Sequence, residues 1–423
     1  MKLTAQQRVE QIVEHGLCTG CGLCQAAAGD HLIQVKKGSS GYLVPIVSDA
    51  IDHATADLVH RVCPGVHPVG LPDNLIATDT KLDNVWGPWQ RMVHTWAGDD
   101  HQRHVGATAG VLTALACYLL TTKKVDFILH AKAHTTEPSF GEMHISTTTE
   151  QVLQGSGSRY GPTAPLIAID KVLDRNQKFA FIGKPCDLAG LRNYAQEDKR
   201  VNDLVKFWLT PVCGGYMPPD SINAFYRRMG VEPDHVTDLR YRGHGCPGPT
   251  RISTPEKVVD AHYLDFWGED ESMWDMPFRC KVCPDGIGEA SDIAVADTWI
   301  LGSPKREDTD TDLGTNAAIA RTTAGATLLA EAAAAGALVI DRDITPDHMS
   351  TYQPHQLTKK YAAWPRYQGL QDAGRLTPKT ERLRIKQLAT EMPDAVNNQQ
   401  RQGTLDRVRA GKADQPTPIA HSE

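Results

Sequence analysis

Cys18-Thr19-Gly20-Cys21-Gly22-Leu23-Cys24 places three thiols at strict two-residue intervals, and Cys63-Pro64 supplies the next thiol along the chain. Thiolates are the soft ligands that hold iron–sulfur clusters, and C-x2-C-x2-C with a later C-P is a ferredoxin-like spacing. One tight loop wraps three corners of a cluster, and a distant thiol closes the fourth. Zinc fits this run less well, because tetrahedral zinc sites usually come as two C-x2-C knuckles or a Cys/His mix. Gly20 and Gly22 let backbone N–H groups approach the sulfurs and tune the potential. Cys18, Cys21, Cys24 and Cys63 are therefore the expected ligands of a 4Fe-4S cluster, although 38 residues separate Cys24 from Cys63. The run points to electron transfer.

With 423 residues the chain is longer than one typical domain, and its 41% hydrophobic content is enough for sizeable cores. A net charge of −7 argues against a nucleic-acid partner, which wants a basic face. The N-terminus lacks an apolar signal region. The longest apolar stretch, Ala109 to Leu120, is too short to span a bilayer and reads as a buried helix. Ten cysteines without a secretion signal favour metal binding in a reducing cytoplasm over disulfides.

Four regions follow from punctuation and composition. Residues 1–75 form the ferredoxin-like unit, and a spacer at 81–90 leads into an α/β region at 90–240. There Val125–His130, Phe179–Ile182 and Val205–Thr210 read as strands. Residues 241–391 contain the Gly-rich turn Arg240–Gly248, a strand at Ile293–Ala296, a charged mobile loop at 305–312, an Ala-rich helix at Ala324–Ala335 and a strand from Leu338. Residues 392–423 are polar and read as a disordered tail or a polar helix. The fold class expected is α/β (α+β): a 4Fe-4S unit, then a flavin-binding α/β domain with an inserted cluster-binding loop region.

A second thiol pair, Cys280-Lys-Val-Cys283-Pro, needs two more ligands, and Cys186, Cys213 and Cys246 all lie in Gly/Pro-rich loops suited to close metal approach. Spacing alone does not choose among them. Cys117 lies inside the apolar helix and reads as a small buried hydrophobe. Gly106-Ala-Thr-Ala-Gly110 before Val111 resembles an anion-cradling loop at a helix N-terminus, though it matches neither the Walker pattern nor G-x-G-x-x-G. Gly155-Ser-Gly-Ser158-Arg159-Tyr160 would add hydroxyls, a guanidinium and an aromatic face to a bound flavin or nucleotide, and Lys184 a positive charge beside Cys186. His130, His134 and His144 follow no recognised metal spacing. His244, between two glycines, is the candidate proton donor.

These segments, in this order, resemble the coenzyme F(420) hydrogenase/dehydrogenase beta-subunit family, which includes reductases of chlorophyll intermediates. The resemblance rests on Gly106–Leu115, Ser158-Arg-Tyr160, Gly183-Lys-Pro-Cys186-Asp-Leu-Ala-Gly-Leu-Arg192, Val212-Cys-Gly-Gly215, Arg240–Gly245, Arg279-Cys-Lys-Val-Cys-Pro-Asp285 and Ile293–Trp299. It implies an iron–sulfur flavoprotein whose second 4Fe-4S cluster is held by Cys186, Cys213, Cys280 and Cys283, leaving out Cys246. It implies FAD against Gly106, Thr108, Ala109, Gly110, Val111, Ser158, Arg159 and Tyr160, with Lys184 nearby. Gly-Ala-Thr-Ala-Gly departs from the Ser-Gly-Gly or Asp-Gly-Gly common in the family, which leaves the substrate unassigned.

The function expected is a cytoplasmic FAD oxidoreductase with two 4Fe-4S clusters in series and ferredoxin as electron partner. Its small-molecule substrate would be a deazaflavin or another unsaturated compound. The rival expectation is a non-catalytic electron-transfer subunit of a larger dehydrogenase or hydrogenase complex. Assembly is open between a homo-oligomer and such a complex.

Overall fold

The computed structural model describes residues 3–269, 276–309 and 311–415. An eight-stranded mixed sheet organises the chain. Its strand order is Leu338–Asp343, Arg91–Ala97, Asn316–Ala320, Ile293–Asp297, Val205–Pro211, Phe179–Ile182, Phe127–Ala133 and Gly141–Ser146. The four strands from Ile293–Asp297 to Phe127–Ala133 are mutually parallel, and antiparallel strands flank them on both sides. Parallel strands buried on both faces read as continuous apolar runs, as Phe179-Ala-Phe-Ile182 does.

Period-two alternation sorts the side chains between two cores. Phe127, Leu129, Phe179 and Phe181 face a core built with the helix Pro185–Glu197. Ile128 and Ala180 face the opposite core, under the helices Val111–Thr121 and Thr323–Ala334. The strands expected near residues 125, 179, 205, 293 and 338 are present, and so are the buried helix after Gly110 and the Ala-rich helix. Among the described residues no helix is long and apolar enough to cross a membrane.

Two segments differ from their sequence reading, and a third takes one of the two forms read for it. The spacer at 81–90 is a paired hairpin, Lys81–Asp83 with Gly87–Trp89, and its Trp86 is fully buried with Nε1 donating to Ser350 Oγ at 3.0 Å. Within the charged loop at 305–312, Arg306 pairs with Asp265 and Glu269 at 2.8 and 2.6 Å, which anchors it; residue 310 lies outside the described residues. After Met392 the chain forms the helix Asp394–Arg409, which buries Thr404, Leu405 and Val408; residues 416–423 lie outside the described residues.

The N-terminal unit comprises the helix Ala5–Glu14, closed by a Thr4/Gln7 capping box, the helix Leu23–Ala28, the antiparallel pair Ile33–Lys37 and Leu43–Val47, and the helix His53–Val62. Val9, Ile12, Leu17, Ile33 and Val59 share one core with Phe278, Val282 and Tyr367 from far downstream. Burial against these residues fixes the first thiol loop relative to the Cys280 loop.

Candidate functional site: two thiol cavities and a larger chamber

In open α/β sheets the carboxyl ends of parallel strands present ligand sites. Here the chain leaving Phe179–Ile182 runs through Gly183 and Lys184, that leaving Val205–Pro211 through Val212 to Gly215, and that leaving Ile293–Asp297 through Trp299. All of these line one cavity of about 290 Å³. Its roof is the Gly106–Gly110 loop. Gly110 has φ +69°, and a Cβ there would lie 2.3 Å from the Gln102 carbonyl oxygen, so only glycine folds this turn without displacement. No side chain caps the helix Val111–Thr121 that follows, so its first N–H groups carry no side-chain partner.

Arg242, Asp297 and Thr108 form the polar floor. Arg242, which is 3% exposed, donates to Asp297 Oδ2 at 3.0 Å, to Thr108 Oγ1 at 2.5 Å and to Tyr160 Oη at 3.3 Å. Thr108 Oγ1 in turn donates to Asp297 Oδ1. Burial opposes the Arg242 charge, and Asp297 more than restores it, so the guanidinium stays protonated. The rings of Tyr263 and Trp299 cover it at 5.0 and 4.6 Å. Four buried polar atoms on this cavity's lining residues have no partner among the described residues: Arg159 Nε, Asp187 Oδ1, Arg242 Nε and Trp299 Nε1. Buried polar groups are normally satisfied, so these orphans mark a cavity suited to a polar ligand.

Gly106, Thr108, Gly110, Val111, Ser158, Arg159, Tyr160 and Lys184 all line this cavity. Ala109 does not; it is fully buried, and its carbonyl accepts from the Ala97 N–H at 2.9 Å. The Arg159 guanidinium does not serve as a free cation, because it donates to the carbonyls of Leu239 (3.0 Å) and Pro138. Tyr160 packs against Trp267 at 4.8 Å. His244 is not brought to the cavity lining. It is exposed, at φ +61° between Gly243 and Gly245, with its ring edge-on to His104 at 5.6 Å.

A second, smaller cavity of about 30 Å³ is lined by Cys186, Cys213, Cys280 and Cys283 together with Lys184, Arg279 and Lys359. A third, also about 30 Å³, is lined by Cys18, Cys21, Cys24 and Cys63. All eight thiols expected as ligands thus fall into two sets of four, each around its own void. Cys246 lines neither; it is buried with its thiol 3.3 Å from Asp312 Oδ2. Cys117 is buried in the core beneath the sheet. Among the described residues no three His, Cys, Asp or Glu side chains are grouped to hold a single metal ion.

Local structure explains why the thiols converge. Gly22 has φ +85°, and a Cβ there would lie 2.7 Å from Ile167 Cα, so the first loop packs directly on the α/β region. Gly20 N–H donates to Cys18 Sγ at 3.4 Å. The helix Pro354–Asp372 braces the second set: Gln356 donates to the Cys213 carbonyl at 2.8 Å, Lys359 to that of Gly214, and Arg366 to that of Lys281 at 2.5 Å. Burial pushes the Cys18, Cys21 and Cys213 thiols up to about 12, and also raises Cys24, Cys63, Cys186 and Cys280. Thiols in that state are poor nucleophiles, and a bound metal is what would deprotonate them. The donor sets fit metal clusters and do not fit cysteine catalysis.

Three residues of the chamber, Asp187, Arg242 and Asp297, are not legible as site residues in the sequence. All three lie inside the motifs that carry the family resemblance, Arg242 in the Gly-rich turn, so the signal reaches them without assigning a role.

Fold and site together define an α/β protein with two four-thiol centres beside a ligand chamber. Residues 92–170 match the profile for the N-terminal part of the coenzyme F420 hydrogenase/dehydrogenase beta subunit, and residues 176–344 match the profile for the C terminus of that same beta subunit. The chain belongs to this coenzyme F420 hydrogenase/dehydrogenase beta-subunit family. Among solved structures it is similar to a chain of the xenon-derivatised F420-reducing [NiFe] hydrogenase complex from Methanosarcina barkeri, with 18% identity and a TM-score of 0.51 over 66% of this chain and 92% of that one. This likeness is one of fold. No curated protein matches the chain. Family membership makes it an oxidoreductase-associated electron-transfer protein.

Proposed function

We propose that this chain is an iron–sulfur flavoprotein oxidoreductase. In this reading Cys18, Cys21, Cys24 and Cys63 hold one 4Fe-4S cluster, Cys186, Cys213, Cys280 and Cys283 hold a second, and the large cavity holds FAD. The observation that carries the proposal is that the three cavities share walls. Thr19 borders both thiol cavities, and Lys184, Cys213, Gly214 and Gly215 border both the second thiol cavity and the large one. When bound, the clusters supply one-electron transfer and the flavin the two-electron exchange that an organic substrate requires.

The chain's own groups have definable tasks. The Gly106–Gly110 turn and the uncapped start of the following helix present N–H groups to an anionic part of a ligand. Asp187 Oδ1 would accept, and Trp299 Nε1 and Arg242 Nε would donate, which ends their isolation. Lys184 is tied to Asp187 Oδ2 at 2.8 Å and so holds a fixed positive charge on the wall between thiols and chamber. Ferredoxin is the proposed electron partner, with a deazaflavin or another unsaturated small molecule as substrate. His244 is set aside as proton donor because it lies off the lining.

A second reading is a non-catalytic electron-transfer subunit of a larger dehydrogenase or hydrogenase complex. It is favoured by a solved structural neighbour being a chain of a hydrogenase complex. Anaerobic purification of the chain alone tests the first reading. About eight irons, acid-labile sulfide and about one FAD per chain are expected, and no FAD by absorbance and extraction would contradict it. FAD-loaded protein that takes electrons from reduced ferredoxin yet reduces no small molecule favours the second reading.

A further inference from the structure

Arg279 stands one residue before Cys280, on the short helix Phe278–Lys281. Its side chain is 5% exposed and lines the second thiol cavity. It also reaches the first thiol set, because Nη2 donates at 3.3 Å to the carbonyl oxygen of Pro64, the residue after Cys63. The neighbouring Phe278 is buried in the N-terminal unit's core, which fixes the guanidinium between the two sets.

The charge on Arg279 is otherwise unanswered. Nε is buried without a partner, and among the described residues the Pro64 carbonyl is its one side-chain hydrogen-bond acceptor. Several other cations with little exposure pair with carboxylates, Lys360 and Arg384 with Glu289, Arg192 with Asp292 and Arg242 with Asp297, whereas Arg321, like Arg279, donates only to backbone carbonyls among the described residues. A buried charge without a counter-charge is strongly disfavoured. The groups around Arg279 that can become negative are mainly the thiols, Cys186, Cys280 and Cys283 on its own cavity and Cys63 just beyond Pro64; burial disfavours ionisation of the neighbouring Tyr367 phenol, and Asp285 on the same cavity faces Lys360. Its charge is felt at Cys18 and Cys63 as well as at Cys186 and Cys280.

We propose that Arg279 is the shared counter-charge of the two clusters, a positioning residue that raises both reduction potentials. The inference rests on the cluster reading above. Each reduction adds one electron from an external donor, with no bond made or broken, so it adds one negative charge beside a fixed positive one. That charge favours the reduced form of either cluster, since net local charge is one determinant of cluster potential.

The test is anaerobic potentiometric titration with dithionite, followed by electron paramagnetic resonance, on the full chain. Cys280→Ser, lacking the second cluster, assigns the signals. Arg279→Gln is expected to move both midpoints to more negative values. Arg279→Lys keeps the charge but not the planar fork that reaches Pro64, so the first cluster's midpoint falls while the second's stays near that of the unaltered protein. Lys359→Gln, whose ammonium lines only the second thiol cavity, moves the second midpoint alone. A shift confined to one cluster in Arg279→Gln overturns the inference. If that variant does not retain its iron, an unmoved first midpoint in Arg279→Lys overturns it. Full iron content with unmoved midpoints sinks this inference alone, whereas unaltered protein without iron and sulfide sinks the cluster reading with it.

Discussion

Arg242 and Asp297 meet at 3.0 Å beneath the large cavity, joining the Gly-rich turn before Cys246 to the end of a central strand. Thr108 closes the triangle from the cavity roof. Asp297→Asn leaves the guanidinium without its counter-charge. We expect a loss of ~2–3 kcal/mol, below the ~3–5 kcal/mol of a fully buried pair, because the Asp297 side chain is 25% exposed. Denaturant melts measure this, and flavin content should fall in parallel.

Replacing Cys280 or Cys283 with Ser removes one ligand from the second set and leaves Cys18, Cys21, Cys24 and Cys63 intact. Iron content should drop by about half, with the first cluster's spectrum retained. Unchanged iron in both variants would contradict the ligand assignment.

Gly110→Ala places a methyl group 2.3 Å from the Gln102 carbonyl at a positive φ. The turn must shift, at about 1–3 kcal/mol for the strained backbone, and the cavity roof shifts with it. FAD retention after gel filtration should fall sharply, while iron in the thiol cavities is unaffected.

Acid should destabilise the fold through two buried imidazoles. Burial, reinforced by His144, lowers His130 to about 4, and burial with Lys359 lowers His355 to about 3. Unfolded histidine titrates near 6.5, so between that value and the folded ones the unfolded state binds more protons. Stability therefore falls as pH drops below about 6.5, approaching ~1.4 kcal/mol per pH unit for each histidine. Anaerobic calorimetry at pH 7 and pH 5.5 checks the sign, and His130→Asn should flatten the slope.

The thiols were the most legible part of this molecule because soft-metal ligands come in short local motifs. Cys280 and Cys283 announced a site, yet Cys186 and Cys213 could be joined to them only through family resemblance. Proximity created by separate strand ends leaves no spacing signal. The central strands were legible from their short, mostly apolar runs. Arg91–Ala97 and Asn316–Ala320 were not, since one interleaves His and Thr and the other is mostly alanine. Least legible was the helix Pro354–Asp372. It buries His355, Gln356, Lys359 and Lys360, residues that sequence alone places at a surface. Gln356, Lys359 and Lys360 are buried here because they satisfy carbonyls of the second thiol loop and the carboxylate of Glu289. The Arg242–Asp297 pair was hidden for a similar reason, its partners lying 55 residues apart.

The central claim is that electrons reach the large cavity through the two thiol sets in sequence. Anaerobic stopped-flow mixing with reduced ferredoxin tests it most directly, reading flavin absorbance in the unaltered chain, in Cys63→Ser and in Cys280→Ser. The account predicts prompt flavin reduction in the unaltered chain and a collapse of that rate in both variants, with FAD still bound. Flavin reduction at the unaltered rate in Cys280→Ser, with its second cluster absent, would contradict the account.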